Sequence, residues 1–344
     1  MAITDTVVNR RVVVSAAGGL AASGLLAGAS GAQEASPAAS PVSGWTFTDD
    51  KGVMVTLETT PIRIVADVNA AAALWDFGIR PVAVFGWNAV ETGDFGPAGG
   101  NIDPSQVEIV GNVDEPFKPE ATLAVDPDLI VTLTWAPDDP DEYWSLDLDP
   151  SILPLAREIA PVVAISAAGL ADANTVRMAE LAAALGADLS TPELAGAETG
   201  FQDSLARLEV VAATKTGLVV MFAYIDGSEQ WYVTDPSGWA DVTLFQQLGV
   251  NVLSPDESDG WWQTLSTEEA LRYPADVIFN SDRGGGTLTL SLEELQAHPT
   301  FGSHPAVQAG QVYPWNQDFI LSYQGMIAAL DAISDPLEQA EKVI

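Results

Sequence analysis

The side chains that most often perform catalysis or bind metals are scarce in this sequence. It contains no cysteine and only two histidines, His298 and His304, each followed by proline. A disulfide, a cysteine nucleophile or a cysteine metal site is therefore impossible, and a zinc centre or a Ser-His-Asp triad is disfavoured. We expect neither histidine to bind a metal or haem iron, and we expect no resident cofactor.

Acidic pairs are the remaining source of catalytic groups. Asp138-Asp139 and Asp256-Glu257 could each supply carboxylates to an exported hydrolase. Both pairs lie in hydrophilic stretches with no His, Lys or Ser arrangement around them, which favours solvated loops. A hydrolase therefore stays an alternative of a different class, and we expect no enzymatic activity.

Aromatic residues stand where a ligand could use them. In open α/β sheets, ligands bind beyond the carboxyl ends of the strands, and large pockets favour aromatic side chains with a few polar groups. Such positions in this sequence carry tryptophan, tyrosine and, near the end of one strand, an arginine followed by three glycines. That arginine could form charge-assisted hydrogen bonds with an anionic ligand. We assign ligand contacts to Trp87, Trp135, Tyr224, Trp231, Trp262, Arg283 and Trp315.

Other aromatic residues are not assigned as ligand contacts. Tyr232 and Trp261 lie in the same loops as the assigned contacts, whereas Trp45, Trp75, Trp144 and Trp239 are assigned to packing or to the surface.

These positions depend on strands and helices that alternate along the chain. A hairpin pattern at 45–57 is followed by buried strands and amphipathic helices in turn, which is typical of parallel sheets covered by helices. A long helical segment at 191–214 interrupts the alternation. We predict an α/β protein with two lobes of mainly parallel sheet, at 45–190 and 215–344, joined by that rigid helix.

A short repeat supports the division into two lobes. Glu120-x-x-Leu123-x4-Asp128-x-Ile130 matches Glu268-x-x-Leu271-x4-Asp276-x-Ile278 without a gap. Each copy is interpreted as a short helix that leads through a proline-containing turn into a buried strand. A duplicated half is the favoured explanation.

The N-terminus has the pattern of an export signal. The pair Arg10-Arg11 precedes an apolar stretch that ends near Ala29, and Ser30-Gly31-Ala32 follows. This order is typical of a signal peptide, and the arginine pair is similar to a twin-arginine signal. We assign 1–32 to the signal and 33–44 to an Ala/Ser/Pro-rich linker. Whether the signal is cleaved or serves as an anchor stays open.

Composition excludes several partners. Among 344 residues there are 48 acidic and 13 basic side chains, which gives a formal net charge of −35. Such a surface repels the phosphates of nucleic acid and anionic lipid, so neither is expected as a partner. Hydrophobic residues make up 47% of the chain, enough for a substantial core. We expect a monomer.

The ordered set of motifs resembles the periplasmic binding proteins of siderophore, haem and cobalamin importers. The resemblance covers nearly everything from Trp45 to Ile333. It is carried by Phe47-Thr48-Asp49-Asp50-x-Gly52, Pro61-x-Arg63-Ile64-Val65, Gly78-Ile79-x-Pro81-Val82, Glu120 to Ile130, Leu244-x3-Leu248-Gly249, Ser266 to Ile278 and His298-Pro299.

The resemblance implies a class III binding-protein fold, with ligand held between two lobes and little closure about the connecting helix. It implies that Glu120 and Glu268 dock on arginines of a membrane permease that works with an ATPase. The expected ligand is a ferric siderophore, a small-molecule iron chelate, and haem or cobalamin are alternatives within the family. The export signal disfavours a cytoplasmic metal-chelatase or a structural protein of similar shape.

The expected location is the periplasm or the outer face of the cytoplasmic membrane. Family members are often lipoproteins, but Leu25-Leu26-Ala27-Gly28-Ala29 lacks the cysteine that would carry the lipid. We therefore expect a protein without a lipid anchor.

Overall fold

The computed structural model describes residues 44–89, 92–283 and 289–344. The signal assigned to 1–32, the linker assigned to 33–44 except Gly44, and the glycine run 284–286 lie outside the described residues. No helix in the described part of the chain is both long and apolar enough to cross a membrane.

The described part of the chain begins with a hairpin and continues into a fully parallel sheet. Strands β1 (Trp45–Thr48) and β2 (Met54–Leu57) pair antiparallel across a turn that the Asp49 carboxylate stabilises by accepting hydrogen bonds from the amides of Lys51 and Val53. The N-terminal sheet has the order β5-β4-β3-β6-β7. Its strands are β3 (Ile64–Asp67), β4 (Ala83–Phe85), β5 (Glu108–Ile109), β6 (Leu129–Thr134) and β7 (Val162–Ser166).

The C-terminal sheet is mixed, with the order β10-β9-β8-β11-β12. Its strands are β8 (Val220–Tyr224), β9 (Gln230–Thr234), β10 (Trp262–Ser266), β11 (Val277–Ser281) and β12 (Val312–Trp315). Strands β8, β11 and β12 are parallel, whereas β9 pairs antiparallel with both β8 and β10. The short connection 225–229 imposes the antiparallel pairing of β8 with β9, because a parallel neighbour needs a crossover of about a dozen residues or more. The mainly parallel pattern predicted from the sequence therefore holds more fully in the first lobe than in the second.

Helices cover both sheets and connect their strands. They are α1 (Val68–Asp76), α2 (Pro119–Ala124), α3 (Ile152–Ile159), α4 (Ala171–Ala184), α5 (Pro192–Thr214), α6 (Ala240–Gln247), α7 (Leu292–Ala297), α8 (Pro305–Gln308) and α9 (Tyr323–Gln339).

Helix α5 carries the chain from the first sheet towards the second. Thr191 caps its N-terminus by accepting a hydrogen bond from the amide of Leu194, and Pro192 occupies the first turn, where no amide donor is lost. The helix packs along α9. Arg207 of α5 joins the two helices through ion pairs with Asp331, Asp335 and Glu338 at 3.1, 2.5 and 3.0 Å.

One hydrophobic core runs through both lobes. It includes Leu74 of α1, Phe201 of α5 and Phe222 of β8. Tyr323 of α9 lies 5.9 Å from Phe201 and 5.2 Å from Phe77 between ring centroids. Smaller apolar clusters cover the outer face of each sheet. The two sheets are thus joined by shared packing as well as by one helix.

The repeated segments occupy equivalent places in the two sheets. Strands β6 and β11 are each the fourth strand in the sheet order. The Asp128 carboxylate accepts hydrogen bonds from two amides just before β3, and the Asp276 carboxylate accepts one from Val219, just before β8. An aspartate at the equivalent position therefore anchors β3 in the first five-stranded sheet and β8 in the second. The second copy differs in one respect, since the segment before its strand is a single 3-10 turn, Thr267–Glu269, and not an α-helix.

Candidate functional site

Tryptophan side chains from both lobes form a continuous cluster of ring contacts. We call Trp87, Trp135, Trp144, Trp239, Trp261, Trp262 and Trp315 the tryptophan cluster. Trp135 of the first lobe lies 6.0 Å from Trp239 and 5.3 Å from Trp261 of the second, between ring centroids. The cluster therefore bridges the two lobes.

In each lobe, a carboxylate stabilises the loop that carries tryptophans of the cluster. Glu142 accepts hydrogen bonds from the amides of Trp135, at 3.1 and 3.2 Å, and Ala136, at 3.1 Å. Asp259 accepts hydrogen bonds from the amides of Trp261 and Trp262 at 2.9 and 2.8 Å. The bonds from Trp262 and Trp261 lower the pKa of Asp259. These contacts fix the backbone from which the tryptophan rings project.

Two tyrosines extend the aromatic surface along the second lobe. Tyr224 ends β8, and its ring lies 5.8 Å from that of Tyr232 in β9, which in turn lies 6.2 Å from Trp262. Burial raises the pKa of Tyr224, and so does the charge of Asp226, while Arg283 lowers it. Tyr224 therefore stays protonated near neutral pH, with a hydroxyl that can donate to a ligand.

Of the seven residues assigned from the sequence, five lie at this surface. Trp87, Trp135, Tyr224, Trp262 and Arg283 are all partly accessible, and Trp87 is 44% exposed.

The assignment of Trp231 as a ligand contact is wrong in this structure. Its side chain is fully buried, donates a hydrogen bond to the carbonyl of Ser266 at 3.1 Å, and packs 5.3 Å from Phe301. Successive residues of a strand point to opposite faces of the sheet, so Tyr232 takes the position facing Trp262. The alternation of Trp231 and Val233 with more polar residues was the available signal.

Trp315 supports the cluster from beneath instead of lining its surface. It is almost fully buried, and its indole nitrogen donates a hydrogen bond of 2.7 Å to Asp241. Burial raises the pKa of Asp241 to about 7, against the effect of the Trp315 hydrogen bond. Direct ligand contact by Trp315 is therefore not supported by its position.

Trp144 and Trp239 were assigned to packing or to the surface, and the structure includes both of them in the tryptophan cluster. Trp144 lies 6.4 Å from Trp87 and 6.1 Å from Trp135, because the loop after β6 turns back and the amide of Trp144 bonds the carbonyl of Leu133. Trp239 is buried and packs at the centre of the cluster. No local pattern marks either position.

Arg283 is bound to an aspartate from a distant part of the chain. Its guanidinium donates to both carboxylate oxygens of Asp318, at 2.7 and 3.1 Å. The Asp318 side chain is 6% exposed and that of Arg283 is 38% exposed. The arginine is therefore already neutralised, which the sequence could not indicate.

Two further aspartates lie near Asp318. Burial raises the pKa of Asp67 to about 7, and the charge of Asp318 adds to the rise, although a hydrogen bond of 3.0 Å from the Ser145 hydroxyl lowers it. Burial also raises the pKa of Asp282, and Asp318 again adds to the effect. We call Asp67, Asp282 and Asp318 the acidic group.

Two larger cavities among the described residues lack this combination of groups. A cavity of ≈ 10 Å³ lies between the lobes beside Trp135, Trp144 and Asp318. Larger cavities of ≈ 130 Å³ and ≈ 560 Å³ lie against α9 and beside the N-terminus of α5. Neither of these has several aromatic rings around a charged pair, so the tryptophan cluster is the better candidate site.

The two histidines have structural roles. His298 Nδ1 lies 3.1 Å from the hydroxyl of Thr300, and His304 Nδ1 accepts a hydrogen bond from the amide of Ala306. Burial lowers the pKa of His304, whose Nε2 lies 3.1 Å from the carbonyl of Tyr273. Among the described residues, no three His, Cys, Asp or Glu side chains are grouped as metal ligands would be.

The two glutamates assigned to docking are exposed. Glu120 lies in the first turn of α2 and Glu268 in the 3-10 turn before Ala270. Each is followed three positions later by an exposed leucine, with Leu123 at 62% and Leu271 at 51%.

Comparison with known proteins finds a matching family model and several similar solved structures. The family model described as "Periplasmic binding protein" matches residues 104–319. The ferric-siderophore receptor protein DesE from Streptomyces coelicolor is 32% identical, with 87% of this chain and 100% of DesE covered and a TM-score of 0.79.

Two other solved structures are similar in fold. The siderophore periplasmic binding protein from the fuscachelin gene cluster of Thermobifida fusca is 23% identical, with 81% and 97% of the two chains covered and a TM-score of 0.58. The petrobactin-binding protein YclQ from Bacillus subtilis is 15% identical, with 86% and 99% covered and a TM-score of 0.62. No curated protein matches the chain.

Proposed function

This chain belongs to the family of periplasmic binding proteins, and we propose that it captures a ferric siderophore for an ABC importer. In this proposal the lobes 45–190 and 215–344 hold the chelate between them, and the helix 191–214 limits their motion. The segment 1–32 directs export, so the protein acts outside the cytoplasmic membrane, without a lipid and as a monomer. It is not proposed to catalyse a reaction.

The single observation that carries the proposal is the tryptophan cluster between the lobes. Aromatic faces shared by two lobes suit a large, rigid and partly apolar ligand that touches both. Tyr224 and Tyr232 add hydroxyls at one edge, which can orient the polar parts of the ligand. The similarity to DesE, a ferric-siderophore receptor, agrees with this ligand class. The cargo arrives as an organic complex, since the site offers aromatic side chains instead of metal ligands.

Delivery requires a permease and its ATPase, and we assign the docking contacts to Glu120 and Glu268. Both are exposed, and they stand at equivalent places in the two lobes. Leu123 and Leu271 beside them add an apolar contact to each charged one. An interface built on a charged pair with an adjacent apolar anchor would bind one permease subunit per lobe.

Titration of the full chain with a ligand panel tests the proposal. We expect a ferric hydroxamate or catecholate chelate to quench tryptophan fluorescence saturably, with a dissociation constant of about 1 μM or lower. Haemin and cobalamin in the same panel represent the alternatives within the family. Quenching by one of these alone would replace the siderophore with that ligand, and the absence of any response would contradict the binding role.

A substitution at Trp87 tests whether the chelate binds at the tryptophan cluster. Trp87→Ala should weaken binding of the active chelate by about tenfold, because it removes the most exposed ring of the cluster. Leu155→Ala, which removes an apolar side chain of α3 that is 41% exposed and lies outside the cluster, serves as the control and should leave affinity unchanged. Equal loss in both variants would place the ligand elsewhere.

A further inference from the structure

Asp241 is a buried acid with one side-chain partner among the described residues. It lies in the first turn of α6, is 1% exposed, and accepts at Oδ2 the hydrogen bond that Trp315 Nε1 donates at 2.7 Å. Within the described part of the chain, its Oδ1 has no hydrogen-bond partner. Burying a carboxyl with so few partners costs stability, and apolar residues of similar size are often as stable in such places. Core stability therefore does not account for Asp241, which leaves its contact with Trp315 to be explained.

Trp315 connects this hydrogen bond to the tryptophan cluster. Its ring, at the end of β12, lies 5.4 Å from that of Trp239 and 6.3 Å from that of Trp262, between centroids. Trp262 is half-buried and contacts Tyr232, which is also partly accessible. Because side chains inside proteins are close-packed, a shift of the Trp315 ring would displace the rings that it touches. The orientation of Trp315 therefore affects a ring that faces the ligand.

A cavity lies beside the pair formed by Asp241 and Trp315. Its volume is ≈ 130 Å³, well above the roughly 10–15 Å³ that one water needs. Helix α9 contributes mostly small residues to its wall, namely Gly325, Ala328, Ala329 and Ala332. Trp315 thus borders open space as well as the cluster, and open space does not resist movement of its ring. The hydrogen bond to Asp241 supplies a restraint that packing on this side does not.

We propose that Asp241 is a positioning residue, which holds Trp315 against the tryptophan cluster and thereby sets the orientation of Trp262 for ligand binding. This inference rests on the proposed function. Asp241 itself does not touch the ligand, because its side chain is buried. Burial raises its pKa to about 7, but a carboxyl oxygen accepts the indole N–H in either protonation state. The oxygen of an amide can do the same, whereas an apolar side chain cannot.

Two substitutions at this position test the proposal, with a ferric trihydroxamate and a ferric tris-catecholate as probes. Asp241→Leu keeps a similar volume without an acceptor, and we expect it to weaken binding of the active chelate by about fivefold. Asp241→Asn keeps an acceptor and should restore affinity to within about twofold of wild type. The free energy of unfolding of Asp241→Leu should stay close to that of wild type, because removal of a buried carboxyl offsets the lost hydrogen bond. Unchanged affinity in a folded Asp241→Leu protein would overturn the proposal.

A double-mutant cycle identifies the partner through which Asp241 acts. Trp315→Phe removes the indole N–H and should also weaken binding. Adding Asp241→Leu to Trp315→Phe should have no further effect on affinity, because both changes remove the same hydrogen bond. Additive losses would show that Asp241 acts by another route and would contradict the proposal. Ser334→Ala, which removes a buried hydrogen bond within α9, is the control and should leave affinity unchanged.

A measurement without ligand separates this inference from the proposed function. In protein labelled with 5-fluorotryptophan, the fluorine signal of Trp262 is assigned by comparison with Trp262→Phe. We expect this signal to shift in Asp241→Leu and to return to its wild-type position in Asp241→Asn. An unshifted signal in Asp241→Leu would refute the positioning role, while capture of ferric chelates would stand. If wild type binds neither probe, nor any other chelate of the panel, the proposed function fails, and a role of Asp241 in ligand binding fails with it.

Discussion

Asp67, a member of the acidic group, lies where β3 ends and α1 begins. Its carboxylate accepts hydrogen bonds from the amide of Asn69 and the hydroxyl of Ser145, at 3.0 Å in each case. The position depends on Gly86, because a Cβ there would lie 2.3 Å from Oδ2 of Asp67. Gly86 also has φ +116°, which side chains rarely tolerate. The buried acid and the glycine are thus one structural unit.

We predict that Asp67 makes the protein less stable as pH rises. Its pKa is 3.8 in the unfolded chain and about 7 in the folded one, so the folded state binds the proton more tightly. The extra stability is fully present below pH 3.8 and is lost as pH rises through about 7. In Asp67→Asn this loss is absent, because the amide can replace the protonated carboxyl. The free energy of unfolding, wild type minus variant, should fall by roughly 3–4 kcal/mol between pH 4 and pH 8.

Denaturant unfolding at several pH values measures this difference. Asp188→Asn is the control, because hydrogen bonds from Ser190 lower the pKa of this exposed residue, and no fall is expected over that range. A constant difference between wild type and Asp67→Asn would show that Asp67 does not titrate in this way.

At the scale of elements, two short helical turns repeat the same surface in the two lobes. Helix α2 and the turn Thr267–Glu269 each present a glutamate and a leucine to solvent, and each leads into the fourth strand of its sheet. An exposed glutamate in a helix first turn needs no partner, because the helix dipole already favours it. The recurrence of both residues at equivalent places is what favours a common partner.

We predict that Glu120→Ala and Glu268→Ala leave ligand affinity unchanged and reduce uptake by about tenfold, because each removes a charged contact with the permease. Leu123→Ser and Leu271→Ser should act in the same direction, through loss of the apolar contact. Uptake of labelled chelate by cells, alongside affinity of the purified protein, is the measurement.

Helix α5 supplies a matched control. Glu193 follows Pro192 in an exposed first turn, as Glu120 follows Pro119 in α2. Glu193→Ala should change neither uptake nor affinity. A fall in affinity in Glu120→Ala or Glu268→Ala would instead place these residues in the ligand site.

At the scale of the whole molecule, the lobes share a core. Phe201 of α5 is buried within it and stacks on Tyr323 of α9, which also contacts Phe77 at the end of α1. Lobes that share such packing move less than lobes joined by a flexible linker. This agrees with the small closure motion expected for the family.

We predict that Phe201→Ala destabilises both lobes together, by about 3–5 kcal/mol, because it leaves a cavity in the shared core. Val210→Ala, at a position of the same helix that is 65% exposed, should change stability by no more than about 0.5 kcal/mol. Hydrogen exchange should show that β3 and β8 lose protection to the same extent in Phe201→Ala. Loss confined to one sheet would mean that the lobes unfold independently.

Much of the fold could be predicted from local patterns. The hairpin, most of the helices and the buried strands follow from the spacing of apolar residues, and the repeated aspartates marked equivalent strands. Helices α3 and α8 and strands β7, β9 and β10 were not predicted, and neither was the antiparallel pairing of β9. That pairing depends on a five-residue connection and on which neighbouring strand is available, not on the residues of β9 alone.

The sequence by itself determined the chemistry that the site can use: no cysteine, few histidines, and tryptophans near the ends of strands. Tertiary structure decided which of these residues meet. In the folded protein Tyr232 faces the site, whereas Trp231 lies in the core. Trp144 and Trp239 are part of the cluster, and Arg283 pairs with Asp318. Local periodicity follows from backbone geometry, which nearby residues set. Contacts between residues far apart in the chain depend on the order and direction of strands, which only the packed sheets specify.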